Sequence, residues 1–300
     1  MSSFQICNDR FRAMVLPNAP LEVLAEGFRW LEGPVWFADH ACLYVSDIPN
    51  DRILRWAEDC GISVFRHPSG FANGHARDRQ GRLIGCSHQN RYITRTELDG
   101  TLTVLASHFD GKRLNSPNDI VCKSDGSIWF SDPLYGINTD YEGGKQDSEL
   151  PATLYRLDPA SGELTVAASD FEGPNGLAFS PDESVLYVSE SGRQFDLEPR
   201  QYIRRFNVKS DGQLSGGDRF YKVDPGFADG FCVDEFGNLW SSAADGVHCI
   251  SPEGELLGKI LTGCVVSNLA FGGRNRSRLF ICASQRLIAV YTNVRGCVRP

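Results

Sequence analysis

The stretch FEGPNGLAFSPDESVLYVSES, residues 171–191, has a near copy much earlier in the chain, and the pair guides the interpretation of everything between them. Residues 29–47 read RWLEGPVWFADHACLYVSD. Each stretch contains an apolar run, a polar turn and a second apolar run, which is the pattern of a β-hairpin. Asn175 stands where the earlier copy has Glu32. The repetition predicts a repeat fold with one polar position shared by its units.

Six copies of this hairpin can be aligned, and they start 39 to 57 residues apart. Further strand-like runs lie between the copies, for example ATLYRLDP at residues 152–159 and ELTVAAS at residues 163–169. Units of roughly 40 to 50 residues with about four strands each are typical of β-propellers, whose sheets pack radially around a channel. The sequence therefore predicts an all-β, six-bladed β-propeller with four-stranded blades.

The segment LEVLAEGF, residues 21–28, precedes the first hairpin as LTVLASHF, residues 102–109, precedes the third. It resembles a fourth strand without a blade of its own, so we expect it to complete the last blade and close the ring. The prediction is one domain over residues 1–300, with about 20 N-terminal residues as an extension before the first propeller strand. A two-sheet sandwich also uses short strands, but it does not predict six aligned hairpins.

Composition restricts the partners of this protein. The chain of 300 residues has a net charge of -8, which disfavours a nucleic-acid partner because such a surface needs clustered Lys and Arg to neutralise phosphates. It lacks an apolar run long enough for a membrane span, and its first residues lack a secretory apolar region. We expect a cytoplasmic monomer or homodimer that binds a small molecule, with ten cysteines as unpaired, mostly buried thiols.

The first position of every hairpin carries an oxygen-bearing side chain, and we call these six the ring residues: Glu32, Asn73, Asn118, Asn175, Asp229 and Asn268. First strands are innermost in a propeller, so these side chains should converge on the axis. Two converging carboxylates repel and lose hydration unless a cation joins them. An oxygen-only set suits Ca²⁺ first, with Mg²⁺, Mn²⁺ or Zn²⁺ possible.

Four ring residues are assigned to the metal: Glu32, Asn118, Asn175 and Asp229. Asn73 and Asn268 are assigned to the surrounding shell that orients water or substrate. An alternative explanation is that Asn-Gly and Asp-Gly pairs are only turn sequences. A turn does not require Glu32 followed by Gly-Pro at the same register, so the alignment favours the metal site.

A second set of positions follows the ring residues by 14 to 16 residues: Asp47, His88, Asp132, Glu190, Ala244 and Ser284. Hairpin geometry returns these positions to the same end of the channel, where we expect a polar rim. His88 and Glu190 are predicted to support the metal ligands, although Asp47 and Glu190 can also be strand-end turn residues and His88 a surface histidine. Asp132 is predicted to bind substrate.

Two insertions lie near the same rim. GKRLNSPND, residues 111–119, carries Arg113 and Asn115, and residues 135–151 form a long polar loop that is a candidate lid. The guanidinium of Arg113 suits an oxyanion or several hydroxyl groups. We therefore expect substrate contacts from Arg113, Asn115, Asn118 and Asp132.

The motifs LEGPVW, GKRLNSPND, WFSDPLYG, GPNGLAFSPD and ADGFCVDEFGNLW resemble the gluconolactonase, senescence marker protein 30 and luciferin-regenerating-enzyme-like family, especially its bacterial gluconolactonase type. The resemblance runs from about residue 20 to residue 295. It implies divalent-metal-dependent, calcium-type hydrolysis of sugar lactones. It also implies metal ligands at Glu32, Asn118, Asn175 and Asp229, with Asp229 as the general base.

The expected reaction is the opening of a sugar lactone, in which the metal polarises the carbonyl and Asp229 activates water. Direct attack by Asp229 is the variant. The chain has no Gly-x-Ser-x-Gly motif, which disfavours a serine esterase. Two alternatives remain, a metal-dependent phosphotriesterase-type hydrolase and a non-enzymatic calcium-binding propeller.

Overall fold

The structure is a computed structural model that describes residues 3–192 and 200–297. Its described residues form six antiparallel sheets, arranged as the blades of a ring, and a separate two-stranded hairpin of His108–Phe109 and Lys112–Arg113. The helices in the described residues are short: Asp9–Met14, Tyr135–Asn138 and the 3-10 turn Ile48–Asn50. The predicted six-bladed β-propeller is confirmed.

The strands of blades 1 to 3 follow one another outward from the axis. Blade 1 contains Leu31–Phe37, Cys42–Asp47, Arg52–Ala57 and Gly61–Arg66. Blade 2 contains Ala72–Arg77, Leu83–Ser87, Tyr92–Thr96 and Leu102–Ala106. Blade 3 contains Ile120–Cys122, Ile128–Asp132, Thr153–Leu157 and Leu164–Ala168.

Blades 4 to 6 repeat the same order. Blade 4 contains Pro174–Phe179, Val185–Glu190, Tyr202–Val208 and Leu214–Tyr221. Blade 5 contains Phe231–Val233, Leu239–Ala243, Gly246–Ile250 and Leu256–Leu261. Blade 6 contains Asn268–Gly272, Arg278–Ala283 and Arg286–Tyr291, and takes its outer strand from Glu22–Glu26.

The ring closes as the sequence predicts. Glu22–Glu26 pairs antiparallel with Arg286–Tyr291, so a strand from the beginning of the chain completes the last blade. The interface between blades 6 and 1 is apolar, and the rings of Trp36 and Phe280 stack there at 5.3 Å. Closure therefore joins the two ends of the propeller through both backbone pairing and a shared core.

The N-terminal extension adds a feature that the sequence does not predict. Phe4–Ile6 pairs with Leu256–Leu261, so blade 5 has a fifth strand. The helix Asp9–Met14 then packs its Phe11 against this blade, and a Cβ atom on Gly258 would fall only 2.1 Å from the Phe11 ring. A strand of three residues is too short for a visible alternation of apolar and polar residues. The extension covers the outer edge of the sheet.

Burial explains why the hairpins repeat so clearly. The second strands of the blades are buried at every position, as in Cys42–Asp47 and Val185–Glu190, because neighbouring blades cover both faces. The outer strand Gly61–Arg66 is largely exposed. Cysteines follow the same pattern, since Cys42, Cys86, Cys122, Cys249 and Cys282 are buried free thiols. No helix in the described ranges is long and apolar enough to span a membrane.

Candidate active site

The ring residues lie at or just before the first strand of each blade. Glu32, Asn73, Asn175 and Asn268 lie within these strands, while Asn118 and Asp229 precede theirs by two residues. Five of the six are nearly buried, and Asp229 is partly exposed. The amide of Asn268 donates to Glu32 Oε2 at 3.0 Å, and the Asn175 side chain hydrogen-bonds Asp229. These contacts link members of the ring on different blades at one end of the channel, which we call the ring end.

Glycine after the ring residue lets neighbouring blades approach closely. The N–H of Gly74 donates to the Asn118 carbonyl oxygen at 2.8 Å, and that of Gly176 donates to the Asp229 carbonyl oxygen at 2.9 Å. A Cβ atom on either glycine would fall 2.4 Å from the same oxygen. Neither glycine has the left-handed φ of a turn glycine. The Asn-Gly pairs therefore serve contact between blades rather than a turn.

The carboxylates of Glu32 and Asp229 are desolvated and repel each other. Burial, followed by the charges of Asp229 and Asp119, raises the pKa of Glu32 well above its ordinary value. Burial and then the charge of Glu142 raise the pKa of Asp229 to about 8. Glu32 Oε2 accepts from the Gly33 N–H at 2.7 Å, but Glu32 Oε1 is buried and has no hydrogen-bond partner in the described part of the chain. The site thus concentrates negative charge around an unsatisfied oxygen.

Asp119 is a third axial carboxylate that the sequence reasoning did not select. It follows Asn118 at a position where four of the other five copies have glycine and the sixth copy has Leu269, so an acid at this position was the available signal. Its carboxylate accepts from its neighbour Ile120 N–H at 2.9 Å, and N–H groups of Ile120 and Leu177 with the Asn268 side chain lower its pKa. Burial is the larger effect and raises the pKa to about 6. Asp119 therefore connects blades 3, 4 and 6.

Three acids of the second set are enclosed, and we call them the rim acids: Asp47, Asp132 and Glu190. All three are 0% exposed. Each accepts the N–H of the residue three positions before its blade's ring residue: Arg29 at 3.0 Å, Asn115 at 2.8 Å and Glu172 at 3.2 Å. The end of the second strand lies beside the chain entering the first strand, so a carboxylate there secures that entry. This arrangement differs from the expected polar rim, and it encloses Asp132 and Glu190 alike.

His88 is buried and connects the ring to the loop above it. Its Nε2 lies 3.1 Å from Asn73 Nδ2, and its Nδ1 lies 3.0 Å from the Glu142 carbonyl oxygen. Asn73 Nδ2 can only donate and the Glu142 carbonyl oxygen can only accept, so His88 Nε2 accepts and His88 Nδ1 carries the proton that bonds to Glu142. Burial lowers the pKa of His88 to about 4, so the His88 imidazole is neutral at neutral pH. Asn73 Oδ1 is left buried without a hydrogen-bond partner among the residues described.

Residues 135–151, which we call the lid loop, cross the ring end between blades. The Tyr135 hydroxyl lies 3.0 Å from the Gly173 carbonyl oxygen and 2.9 Å from that of Gly192, both beside blade 4. On the other side, Gln146 Nε2 donates to the Gln89 carbonyl oxygen at 3.4 Å. Glu142 lies within this loop, and burial raises its pKa to about 7. The expected lid position of the loop agrees with these contacts.

The two predicted substrate residues of the other insertion lie beside the lid loop. Arg113 donates to the Asn90 carbonyl oxygen at 3.3 Å and to Gln146 Oε1 at 3.5 Å. Asn115 is 0% exposed, and its amide donates to the carbonyl oxygens of Asp132 and Pro151, each at 3.3 Å. Asn115 Oδ1 remains buried and without a partner in the described ranges.

The opposite end of the channel holds a separate cavity of about 320 Å³. Its walls include Trp36, Arg77 and Phe271, and Asp119 and Asn268 also line it. Asn268 is a ring residue that binds Glu32 and lowers the pKa of Asp119, so the cavity reaches the inner side of the ring residues.

Comparison with known proteins identifies the family. Residues 30–285 match the region described as SMP-30/Gluconolactonase/LRE-like. The chain belongs to this family. A gluconolactonase from Zymomonas mobilis subsp. mobilis is 33% identical over 96% of this chain and 85% of the relative. A gluconolactonase structure from Xanthomonas campestris is 39% identical and covers 96% of this chain and 94% of that one, with a TM-score of 0.90.

A more distant structure shares the fold of the SMP-30/gluconolactonase/LRE-like family. It is a calcium-binding protein, regucalcin, from Agrobacterium tumefaciens strain C58, with a TM-score of 0.76 at 18% identity over 94% of this chain and 97% of that one. The family and fold predicted from the sequence are thus confirmed. In the present chain, no group of three or more His, Cys, Asp or Glu residues within 3–192 and 200–297 is arranged to hold a metal. The predicted ligand set differs from such a group, because two of its four residues are amides.

Proposed function

We propose that this protein hydrolyses sugar lactones at the ring end, using a divalent cation held by Glu32, Asn118, Asn175 and Asp229. The observation that carries the proposal is the pair of desolvated carboxylates, Glu32 and Asp229, together with the unsatisfied Glu32 Oε1. The predicted enzyme class, a hydrolase of cyclic carboxylic esters, is confirmed by the relatives named gluconolactonase.

The four proposed ligands fit a hard cation. Their donors are carboxylate and amide oxygens, which suit Ca²⁺, and two carboxylates balance one divalent charge. The Asn175 amide that lowers the pKa of Asp229 does so by donating to it, and this leaves the Asn175 carbonyl oxygen for another partner. Calcium is the first choice, with Mg²⁺, Mn²⁺ and Zn²⁺ as alternatives, and regucalcin, a calcium-binding protein of the same fold, supports that order.

A bound divalent cation supplies Lewis acidity toward an ester carbonyl oxygen. Asp229, partly exposed at the ring end, takes a proton from the water that attacks the carbonyl carbon. The same carboxyl group returns the proton to the ring oxygen as the carbon–oxygen bond breaks, so that one water is added overall. Direct attack by Asp229 is the alternative, and hydrolysis in ¹⁸O-water distinguishes them because only that route labels the Asp229 carboxylate.

The surrounding residues position the substrate and the ligands. Arg113 and Asn115 are the proposed hydroxyl-binding residues near the lid loop, together with Asn118 of the ring. Asp132 is completely buried and bonded to the Asn115 N–H, so we assign it to holding that loop instead of contacting substrate. Asn73 with His88, and Asn268 with Glu32, hold the amides of the ring in fixed orientations.

The test is acid release from a panel of aldonolactones by metal-stripped protein, with Ca²⁺, Mg²⁺, Mn²⁺ or Zn²⁺ added back singly. We expect one metal to restore turnover and Asp229→Asn to lower it by about 100-fold or more. Asp147→Asn is the matched control, because it removes an exposed carboxylate from the lid loop. Calorimetric titration of Glu32→Gln with the restoring metal should show weakened binding.

Three outcomes would oppose the proposal. Full turnover after metal removal would reject the cation's role. Rapid hydrolysis of phosphotriesters beside slow hydrolysis of lactones would favour a phosphotriesterase. Metal binding without turnover of any lactone would favour a binding propeller.

A further inference from the structure

The Glu142 carboxylate on the lid loop has no partner among the residues that the structure describes. Its backbone carbonyl accepts from His88 Nδ1 at 3.0 Å, but no described residue hydrogen-bonds to its side chain or forms an ion pair with it. Burial raises its pKa to about 7. The side chain is surrounded by protein yet keeps partial exposure, so its carboxylate oxygens face open space where a molecule from solution can hydrogen-bond to them.

The backbone of the lid loop is firmly held at this point. A Cβ atom on Gly143 would fall 2.4 Å from the Gly136 carbonyl oxygen and 3.2 Å from His88 Cβ. The His88 ring in turn bonds to Asn73 of the ring. The backbone of Glu142 is therefore connected to the ring end through His88, and close packing at Gly143 holds it in that position.

The neighbours of Glu142 cannot supply the missing donor. Its charge raises the pKa of Asp229 and also that of Tyr135, which places the Glu142 carboxylate near both. When ionised, Asp229 only accepts hydrogen bonds, so it cannot donate one to Glu142. The Tyr135 hydroxyl already donates to carbonyl oxygens of Gly173 and Gly192. The Glu142 oxygens are therefore free to accept from a molecule that occupies the site and displaces water from them.

We propose that Glu142 binds the hydroxyl groups of the substrate and so selects polyhydroxylated lactones over unsubstituted ones. The inference rests on the proposed lactonase function. A carboxylate only accepts hydrogen bonds, and its two oxygens can take two neighbouring hydroxyl groups. An unsubstituted lactone would leave Glu142 unpaired, and this mismatch penalises binding of the wrong substrate.

The test compares two lactones with the same six-membered ring, gluconolactone with its hydroxyl groups and δ-valerolactone without them. Glu142→Ala should lower kcat/KM for gluconolactone by about 10- to 100-fold, mainly through KM, because hydrogen bonds to charged groups are lost. Turnover of δ-valerolactone should change by less than about 3-fold. Asp147→Asn removes an exposed carboxylate of the same loop and should leave both substrates unaffected.

A binding measurement keeps the inference separate from turnover. Gluconolactam retains the hydroxylated ring but resists hydrolysis, and calorimetry should show about 10-fold weaker binding to Glu142→Ala than to the wild type or Asp147→Asn. Calcium affinity should fall by less than gluconolactam affinity does, since Glu142 is not a proposed ligand and affects Asp229 only through its charge.

Equal losses on both lactones, unchanged gluconolactam binding, or a large loss of calcium affinity in Glu142→Ala would each overturn the role in hydroxyl binding. If the wild type opens neither lactone, the proposed function fails. Gluconolactam binding that weakens in Glu142→Ala would still support hydroxyl recognition in that case.

Discussion

In the metal-free protein, Asp229 should make thermal stability fall as pH rises from about 5.5 to about 7.5. Burial and the charges of Glu142 and Asp119 raise its pKa from 3.8 to about 8 in the folded state. Between these values the folded protein holds a proton that the unfolded chain has released. The stability from this group is fully present below pH 3.8 and is lost as pH rises through about 8.

The size of the effect follows from the number of protons. One extra proton in the folded state changes the free energy of unfolding by about 1.4 kcal/mol per pH unit, which sets an upper limit near 3 kcal/mol over the interval. The partial exposure of Asp229 admits water, so we expect about 2 kcal/mol. For a chain of 300 residues this corresponds to a fall in Tm of about 3 to 4 °C.

The assay is calorimetric melting in chelator at both pH values, for the wild type and for Asp229→Asn. His75 and His88, whose pKa values are lowered by burial, change stability in the opposite direction, but they are common to both proteins and cancel in the comparison. Asp229→Asn should melt at a higher temperature than the wild type at the higher pH. Excess Ca²⁺ should flatten the wild-type dependence, because a bound cation keeps the carboxylates ionised.

Identical pH dependence of the two proteins in chelator would refute the reasoning, since Asp229 would then not be a desolvated acid. A wild-type Tm that does not respond to any divalent cation at either pH would refute the cation site. Asp147→Asn, which loses an exposed carboxylate, should behave as the wild type does throughout.

Three further predictions concern the framework of the site. Gly176→Ala places a Cβ atom 2.4 Å from the Asp229 carbonyl oxygen, so turnover should fall about 100-fold; unchanged turnover would contradict the close approach of blades 4 and 5. Glu190→Gln leaves one N–H of residues 172–173 without an acceptor and should cost about 1 to 3 kcal/mol in urea unfolding; lost turnover at full stability would indicate a role in substrate binding. Phe11→Ala should cost about 3 to 5 kcal/mol in the same assay, because Phe11 is 0% exposed; a cost below about 1 kcal/mol would show that the N-terminal helix is dispensable.

The rim acids illustrate where sequence reasoning stops. Their spacing from the ring residues correctly placed them at the ends of second strands beside the ring. The alignment of the hairpin copies does not reveal whether the side chains of the rim acids are exposed or buried. The structure encloses Asp47, Asp132 and Glu190 and gives each a backbone N–H of the incoming chain, while Asp132 Oδ1 stays buried without a hydrogen-bond partner among the described residues.

Asp119 and Glu142 show the opposite limit, since neither belonged to the predicted site. Asp119 is the one charged residue at a position that is glycine in four copies and leucine in another, so a stricter comparison of the copies would have selected it. Glu142 occupies the long connection between Ile128–Asp132 and Thr153–Leu157, which lies outside the aligned hairpins. Its proximity to Asp229 depends on how that loop folds across the ring end, and the repeated hairpin sequences do not predict the path of the loop.

The sequence by itself determined the six-bladed propeller, the strand that closes it and the shared polar position. Each of these follows from segments that recur along the chain at similar spacing and with similar residue types. Tertiary structure alone decided which polar groups are desolvated and which are satisfied. Burial and charge–charge repulsion act between residues such as Glu32 and Asp229, which lie almost 200 residues apart along the chain and converge only when the blades close around one axis.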